Sequence, residues 1–275
     1  MAVLLRYIRF LSLDIAFGAV VLSTVIAKFI GIDMPLSISL CLGIAIWVIY
    51  TLDHLIDAFK SDKLPTIERH LFHRQHFRLL IAALILSIVA GAYIVLSLPV
   101  ITFMYGISLT MLVILYFGII YFFKQFYLKE VFVAAVYALG VFVGPVSLNN
   151  GQILPNVAML FLQTFLLALI NLILFSSFEC TQDKKDQNAS IVLRLGQEST
   201  ERLLKILFSV LLVIQLYSIV DFGFEIKMMV FNLLFISMTL VLWILQKWPA
   251  FFSTNERYRT IGDGIFFIPA LWMLL

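Results

Sequence analysis

The chain consists mainly of long apolar stretches separated by short polar breaks. Nine stretches reach or approach the roughly 20 apolar residues that a helix needs to cross the hydrocarbon core of a bilayer. In that solvent every backbone polar group must be paired within the protein, so such stretches predict helices and exclude open strands. The predicted spans are 11–30, 35–56, 79–98, 101–123, 131–148, 157–178, 203–220, 228–245 and 261–275.

The breaks between these spans coincide with residues that favour turns. They include Gly31-Ile32-Asp33, Ser97-Leu98-Pro99, Asn149-Asn150-Gly151 and Asp221-Phe222-Gly223. The first stretch lacks a small-residue cleavage pattern and has spanning length, so we predict a span rather than a signal peptide. Composition agrees, since 63% of the residues are hydrophobic and 13% are charged, against about 25% charged in soluble domains. We therefore expect one all-α membrane domain over residues 1–275.

The basic residues are distributed very unevenly between the two sides of this bundle. With the N-terminus inside, 17 of the 19 lysines and arginines lie on one side, and only Lys28 and Lys227 lie opposite. The positive-inside rule makes the rich side cytoplasmic. We therefore expect a multi-pass protein of the cell membrane whose N-terminus and polar loops are cytoplasmic. No basic tract is interleaved with aromatic residues, so nucleic acid is not an expected partner, and no obligate protein partner is evident.

The first polar region follows the second predicted span and begins with a pair of acids. Asp53 and Asp57 are four residues apart, which on a helix places their side chains on one face. Asp62 follows nine residues after the first of them. Carboxylates this close at a membrane boundary repel each other unless a cation lies between them, and such oxygen ligands suit Mg²⁺. The alternative is that acids mark the helix end simply because water begins there.

The second polar region repeats this arrangement after the sixth predicted span. Glu179 and Asp183 are again four apart, and Asp186 follows them. Four predicted helices separate the two motifs, so the chain divides into halves of 1–123 and 124–245 with a ninth helix at 261–275. Repeats of this kind commonly form a binding site at their interface. The expected metal ligands are Asp53, Asp57, Asp62, Glu179, Asp183 and Asp186.

Basic residues beside the second motif add a site for a multiply charged anion. Lys184 and Arg194 lie close to the acids in sequence. Diphosphate suits this set best, because metal neutralises its charge while arginine or lysine binds its oxygens.

These residues resemble the UbiA superfamily of intramembrane prenyltransferases. The resemblance is carried by the nine-helix pattern, by the acidic motifs 53–62 and 179–186, by Ser190 and the segment Leu193-Arg194-Leu195-Gly196, and by the tract 129–145 with Gly140 and Gly144. It implies that Asp53, Asp57, Glu179 and Asp183 are catalytic and bind Mg²⁺. It also adds Arg69 and Lys129 to the residues expected to bind diphosphate.

The reaction implied by the resemblance is loss of diphosphate from an isoprenyl diphosphate, followed by capture of the allylic cation. Capture by an aromatic or lipid acceptor would give prenyl transfer, whereas attack by the substrate's own double bond would give a terpene cyclase. An apolar, aromatic chamber would stabilise the cation, and the chain contains 26 phenylalanines. A transporter with acidic gates is disfavoured, because the outer loops are short and almost uncharged.

The first motif departs from the family pattern in ways that leave alternatives open. Asp53 takes the usual Asn place, His54 the first Asp place, and the final Asp is displaced to Asp62. Glu179 replaces a usual Asp, Gln187 a usual Gly, and Ser190 a usual Thr. His54, Tyr137 and Asn171 are predicted to face the cavity, although lone polar residues in membrane helices are often interhelical hydrogen-bond partners.

All four histidines lie within residues 54–76. His70, His73 and His76 recur every three residues and are predicted to share one helix face. Imidazole prefers transition metals to Mg²⁺, which allows a second reading as a membrane oxidoreductase with histidine-bound iron. A third reading is a basic interfacial helix that rests on lipid headgroups.

Overall fold

The structure is helical throughout its described part, as the hydrophobic pattern predicts. A computed structural model describes residues 2–60, 64–122, 127–186, 188–222 and 226–274, and these ranges contain no strand. Their α-helices are α1 Ala2–Phe10, α2 Leu13–Phe29, α3 Leu36–Ala58, α4 Glu68–Gln75, α5 Phe77–Val95, α6 Val100–Phe122, α7 Lys129–Leu148, α8 Pro155–Asp186, α9 Ile191–Leu195, α10 Gln197–Phe222, α11 Ile226–Lys247, α12 Pro249–Ser253 and α13 Arg257–Gly264.

Seven of these helices are long and apolar enough to cross a membrane, and they make the chain a multi-pass membrane protein. They are α3, α5, α6, α7, α8, α10 and α11. The predicted first span corresponds to α2, whose 17 residues give a length of about 26 Å, slightly less than the hydrocarbon thickness. The predicted last span, 261–275, is divided between α13 and a 3₁₀ segment, Ile265–Leu274, that contains Pro269. The count of nine spans therefore stays a prediction.

Three of the four predicted breaks between spans are turns in the structure; of the fourth, Asp221 and Phe222 belong to α10, and Gly223 lies outside the described residues. Gly31 and Gly151 adopt φ values of +78° and +76° just beyond the ends of α2 and α7, a conformation that costs glycine little. Pro99 lies between α5 and α6, which end and begin at Val95 and Val100. The chain therefore reverses direction at glycines, whose backbone adopts positive φ easily, and at a proline, which lacks a backbone N–H.

The core lies where α2, α7, α8, α10 and α11 pack together. Its fully buried side chains include Leu22, Leu167 and Phe231. Polar bonds join α10 to α11 within it: Gln215 donates to the Thr239 hydroxyl over 2.8 Å. The outer helices α5 and α6 are covered over only 11% of their spanning windows. Their large apolar surface is consistent with contact to lipid.

The paired acids of both motifs lie on helices. Asp53 and Asp57 occupy the last turns of α3, and Glu179 and Asp183 occupy the last turns of α8. α8 is 32 residues long, so it extends beyond its apolar part and carries its acids past the end of the predicted span. Short helices cover this end of the bundle, with α4 after α3 and α9 after α8.

Close packing of α13 against α8 predicts an asymmetric response to two glycine substitutions. A Cβ atom at Gly262 would lie 2.6 Å from the Phe175 ring and would also collide with Asn171. Overpacking of this kind costs about 1–3 kcal/mol, so we expect Gly262→Ala to lower the midpoint of thermal unfolding in detergent.

The matched control is Gly264→Ala on the same helix, where a Cβ atom meets nothing within 4 Å. Alanine is favoured over glycine in a helix by up to about 1 kcal/mol, so this variant should unfold at or above the wild-type midpoint. Equal midpoints for the two variants would contradict the observed packing.

Candidate active site

A polar cavity of about 120 Å³ lies between the ends of α3, α7, α8 and α13, covered by α4. Nine residues that the sequence predicted for the site line it together: Asp53, His54, Asp57, Arg69, Lys129, Tyr137, Asn171, Glu179 and Asp183. They come from both halves of the chain. The two acidic motifs therefore meet at one cavity.

The first acidic pair binds a lysine of α7. Lys129 Nζ lies 2.9 Å from Asp53 and 2.7 Å from Asp57, and all three side chains are at most about one quarter exposed. The cation that two close carboxylates require is thus supplied by the protein itself. The Tyr116 hydroxyl lies 3.5 Å from Asp53 as a further, weak donor.

The second acidic pair is held differently. Glu179 accepts bonds from the guanidinium of Arg259, whose Nε lies 2.6 Å away, and from the Tyr258 hydroxyl at 2.7 Å. Asp183 has no ion pair among the described residues, and its nearest donor is the Asn188 amide at 3.5 Å. Of the four paired acids, Asp53, Asp57, Glu179 and Asp183, only Asp183 therefore lacks an ion pair within the described residues.

Arg69 reaches the cavity from α4 and carries a donor without a partner. Its Nε is buried and makes no hydrogen bond among the described residues. Burial lowers the pKa of this guanidinium, and the neighbouring charge of Arg259 lowers it further. A bound anion would accept a hydrogen bond from Nε and would place a negative charge beside the guanidinium. Both effects would stabilise the buried, charged arginine.

Three of the predicted site residues point elsewhere. Asp186 ends α8 and accepts bonds of 2.9–3.0 Å from the backbone N–H and hydroxyl of Thr66, so it secures the segment before α4. Lys184 is exposed, and Arg194 is exposed with its guanidinium 5.5 Å from the Tyr127 ring. None of the three lines the cavity. Asp62 lies outside the described residues.

Three histidines form a buried cluster between α3 and α4. The ring of His54 lies 5.8 Å from that of His70 and 5.2 Å from that of His73, and His54 Nε2 lies 3.1 Å from the Ser12 hydroxyl. His76 does not join them: it is exposed and stacks on Phe72 at 4.3 Å. The prediction that His70, His73 and His76 share one helix face is therefore wrong for His76, because α4 ends at Gln75.

Sequence reasoning missed Arg259 and Glu130, which line the cavity, and Tyr258, which donates to Glu179 beside it. Arg259 and Tyr258 approach Glu179 from a segment 80 and 79 positions away. Glu130 directly follows Lys129 and accepts bonds from Ser176 and from the Ile191 N–H with one oxygen, while its other oxygen is buried without a partner. The adjacency of Glu130 to Lys129 was the one signal that a sequence reading could have used.

The charge of the cavity bears on metal binding. Six carboxyl groups line it, from Asp53, Asp57, Glu130, Glu179, Asp183 and Asp263, against three permanently basic side chains, Arg69, Lys129 and Arg259. Within the described ranges no three His, Cys, Asp or Glu side chains converge as a metal site. The donor chemistry nevertheless fits a hard divalent cation, and an anionic ligand would need such added positive charge to enter.

Comparison with known proteins identifies the fold. No family model matches the sequence, and a search of curated proteins gives no match. A UbiA homolog from Archaeoglobus fulgidus bound to GPP and Mg²⁺ superimposes with a TM-score of 0.67 at 17% identity, over 98% of this chain and 99% of that one. An apo UbiA homolog from Aeropyrum pernix K1 gives 0.63 at 14% identity, over 97% and 96%.

A further similar structure concerns digeranylgeranylglyceryl phosphate synthase in membranes, with a TM-score of 0.55 at 15% identity over 98% of this chain and 99% of that one. At such identities the likeness concerns the fold. The chain therefore has the fold of UbiA homologs along nearly its whole length, as the resemblance in the acidic motifs indicated.

The buried histidines predict that the protein loses stability in acid. Burial lowers the pKa of His73 to about 4, despite the bond that its Nδ1 donates to the Arg69 carbonyl. The unfolded chain therefore binds the proton first, and stability falls as the pH drops from about 7 towards 4. For His73 alone we expect a loss of about 2 kcal/mol between pH 8 and pH 5.

The measurement is the midpoint of thermal unfolding in detergent across this pH range. His73→Gln removes the titrating ring and should give a flatter profile than the wild type. His76→Gln, at the exposed histidine, is the matched control and should follow the wild-type profile. A wild-type profile that stays flat from pH 8 to pH 5 is incompatible with a buried neutral His73.

Proposed function

We propose that this protein is a Mg²⁺-dependent intramembrane prenyltransferase of the UbiA superfamily. It ionises an isoprenyl diphosphate and transfers the prenyl group to an aromatic or lipid acceptor. The observation that carries the proposal is the meeting of both acidic motifs with Arg69 and Lys129 at one cavity in a UbiA-type fold. Two solved structures of a UbiA homolog from Archaeoglobus fulgidus with this fold are described as bound to DMAPP or GPP and Mg²⁺.

Arg69 and Lys129 are the proposed diphosphate contacts. The unpartnered Nε of Arg69 offers a buried donor, and Lys129 presents an ammonium at the N-terminus of α7, where backbone N–H groups also favour an anion. Arg259 adds a third cation, although Glu179 already binds it. Lys184 and Arg194 remain outside this group because they are exposed and do not line the cavity.

The carboxylates of Asp53, Asp57, Glu179 and Asp183 are the proposed ligands of Mg²⁺. When bound, Mg²⁺ supplies Lewis-acid stabilisation to the oxygens of the leaving diphosphate. Lys129 neutralises the first pair in the observed structure, so binding a metal there requires the ammonium to move away from Asp53 and Asp57. A lysine released in this way can bind a phosphate oxygen.

An apolar pocket of about 50 Å³ adjoins the polar cavity and suits the prenyl chain. It lies between α3, α6 and α7, and it shares Tyr50, Val133 and Tyr137 with the polar cavity. The carbon–oxygen bond of the substrate would break between the two, with its electron pair leaving on the diphosphate. The two tyrosine rings can then face the allylic cation and stabilise it where little water enters.

The proposal extends to the membrane orientation. The uneven distribution of lysine and arginine supports a cytoplasmic N-terminus and a cytoplasmic cavity in the cell membrane. A charged diphosphate would then enter from the aqueous side, and its apolar chain would lie towards the bilayer. The division into two halves, 1–123 and 124–245, supports a site at their interface in the same way.

Membranes containing the protein should release diphosphate from geranyl, farnesyl or geranylgeranyl diphosphate when Mg²⁺ is supplied. Mass spectrometry of the extract should detect a prenylated product only when an aromatic or lipid acceptor is present. A hydrocarbon formed without any acceptor would contradict transfer and identify a terpene cyclase. If no diphosphate is released from any of the three substrates, the proposal fails.

Removal of single carboxylates should abolish most of this activity. We expect Asp57→Asn and Asp183→Asn each to lower turnover by about a hundredfold or more, since each loses a charge-stabilising group at the reacting centre. Glu198→Gln is the matched control, because Glu198 is exposed on the same predicted side and pairs only with Arg202. Near-normal turnover in both aspartate variants would exclude these acids from the mechanism.

A further inference from the structure

A second cleft, of about 440 Å³, lies between α8, α10 and α11, apart from the candidate active site. Its inner surface is apolar and includes the buried side chains of Leu174 and Leu204. Its edge is polar and includes Lys205, Lys247 and the exposed ring of Trp243. The cleft shares none of its lining with the polar cavity.

The two lysines of the cleft are exposed and come from different helices. Lys205 lies in the third turn of α10, and Lys247 is the last residue of α11. Neither forms an ion pair with the rest of the described chain. Glu201 also lines the cleft, but the Gln197 amide donates to its carboxylate over 3.3 Å. The cleft therefore holds two lysines and one glutamate, none of which forms an ion pair within the described residues, and its net charge is positive.

The ends of the apolar helices that form the cleft lead us to expect it at the level of the lipid headgroups. It opens where α10 begins and α11 ends, at the boundary between their apolar residues and the polar end of the bundle. Tryptophan is enriched at this level, because its ring packs with acyl chains while its N–H meets water. Lysine at this level attracts anionic lipid.

We propose that this cleft binds an anionic phospholipid, with Lys205 and Lys247 contacting the phosphate and the apolar inner surface contacting an acyl chain. Charge complementarity argues for the phosphate. The floor formed by Leu174, Leu204 and Phe178 argues for a lipid rather than a free anion, which would gain nothing from apolar surface. The proposal is independent of the reaction proposed for the polar cavity.

The cleft also adjoins the network around Glu179. The ring of Phe178 stacks on Tyr258 with centroids 4.3 Å apart and an angle of 8°, and Tyr258 donates to Glu179. A lipid that packs on Phe178 would therefore restrict a ring one contact away from a cavity carboxylate. This gives the bound lipid a structural route to influence the site.

The test is lipid binding to the purified full chain in detergent, followed by native mass spectrometry. We expect phosphatidylglycerol to bind more tightly than phosphatidylcholine. The double variant Lys205→Gln/Lys247→Gln should weaken phosphatidylglycerol binding by about tenfold or more, since each lysine near the surface contributes to the attraction. Each single variant should show part of this loss.

The matched control is Arg78→Gln/Lys185→Gln, which removes two exposed charges from the same predicted side without touching the cleft. It should bind phosphatidylglycerol within about twofold of the wild type, given that the contribution of a charge falls off within a Debye length. Thermal unfolding without added lipid verifies that both double variants are folded.

Three results would overturn the proposal. The first is equal phosphatidylglycerol affinity in the wild type and the Lys205→Gln/Lys247→Gln variant. The second is equal affinity for phosphatidylglycerol and phosphatidylcholine, which would leave the lysines without a role. The third is full competition by millimolar inorganic phosphate, which would identify a free-anion site.

Discussion

The structure depends on the neutralisation of buried carboxylates at one end of a membrane bundle. An unpaired charge in so apolar an environment is costly, and a partner of opposite charge within contact distance lowers that cost. Lys129 meets this need for Asp53 and Asp57, and Arg259 meets it for Glu179. Each ion pair joins helices that are distant in sequence. The contacts that neutralise the acids therefore also hold α3 against α7 and α8 against α13.

This arrangement couples ligand binding to internal ion pairs. A cation that binds at Asp53 and Asp57 competes with Lys129 for the same oxygens, and an anion that binds Lys129 weakens its hold on those carboxylates. Binding of the cation frees the Lys129 ammonium for the anion, and binding of the anion frees the two carboxylates for the cation. The two ligands therefore favour each other's binding. Asp183 stands apart, because within the described part of the chain it has no ion pair, and the amide of Asn188 donates to it over 3.5 Å.

The features of the fold and of the site that depend on residues close together in the sequence were predictable. Apolar length predicted the seven helices that are long enough to span a membrane, and the spacing of four predicted that the paired acids on α3 and α8 share a helix face. Arg259 was not predictable, because its contact with Glu179 bridges 80 positions that no local pattern connects. Lys184 was misassigned because neighbours in sequence point about 100° apart on a helix, so a residue beside Asp183 faces away from it. Asp186 was misassigned because Thr66, from a distant loop, binds its carboxylate.

His54 and Glu130 together bear on how many carboxylates the cavity contains. At the place where the resemblance to the superfamily expects an aspartate, a buried imidazole packs against two further histidines instead. Glu130 lines the same cavity from α7 and presents one oxygen without a partner. The number of carboxylates in a cavity affects its attraction for cations beyond direct contact, because Coulomb energy falls only as the inverse of distance and is larger where the dielectric is low. Loss of an acid at position 54 therefore need not remove cation affinity, provided that Glu130 supplies the missing charge from the facing helix.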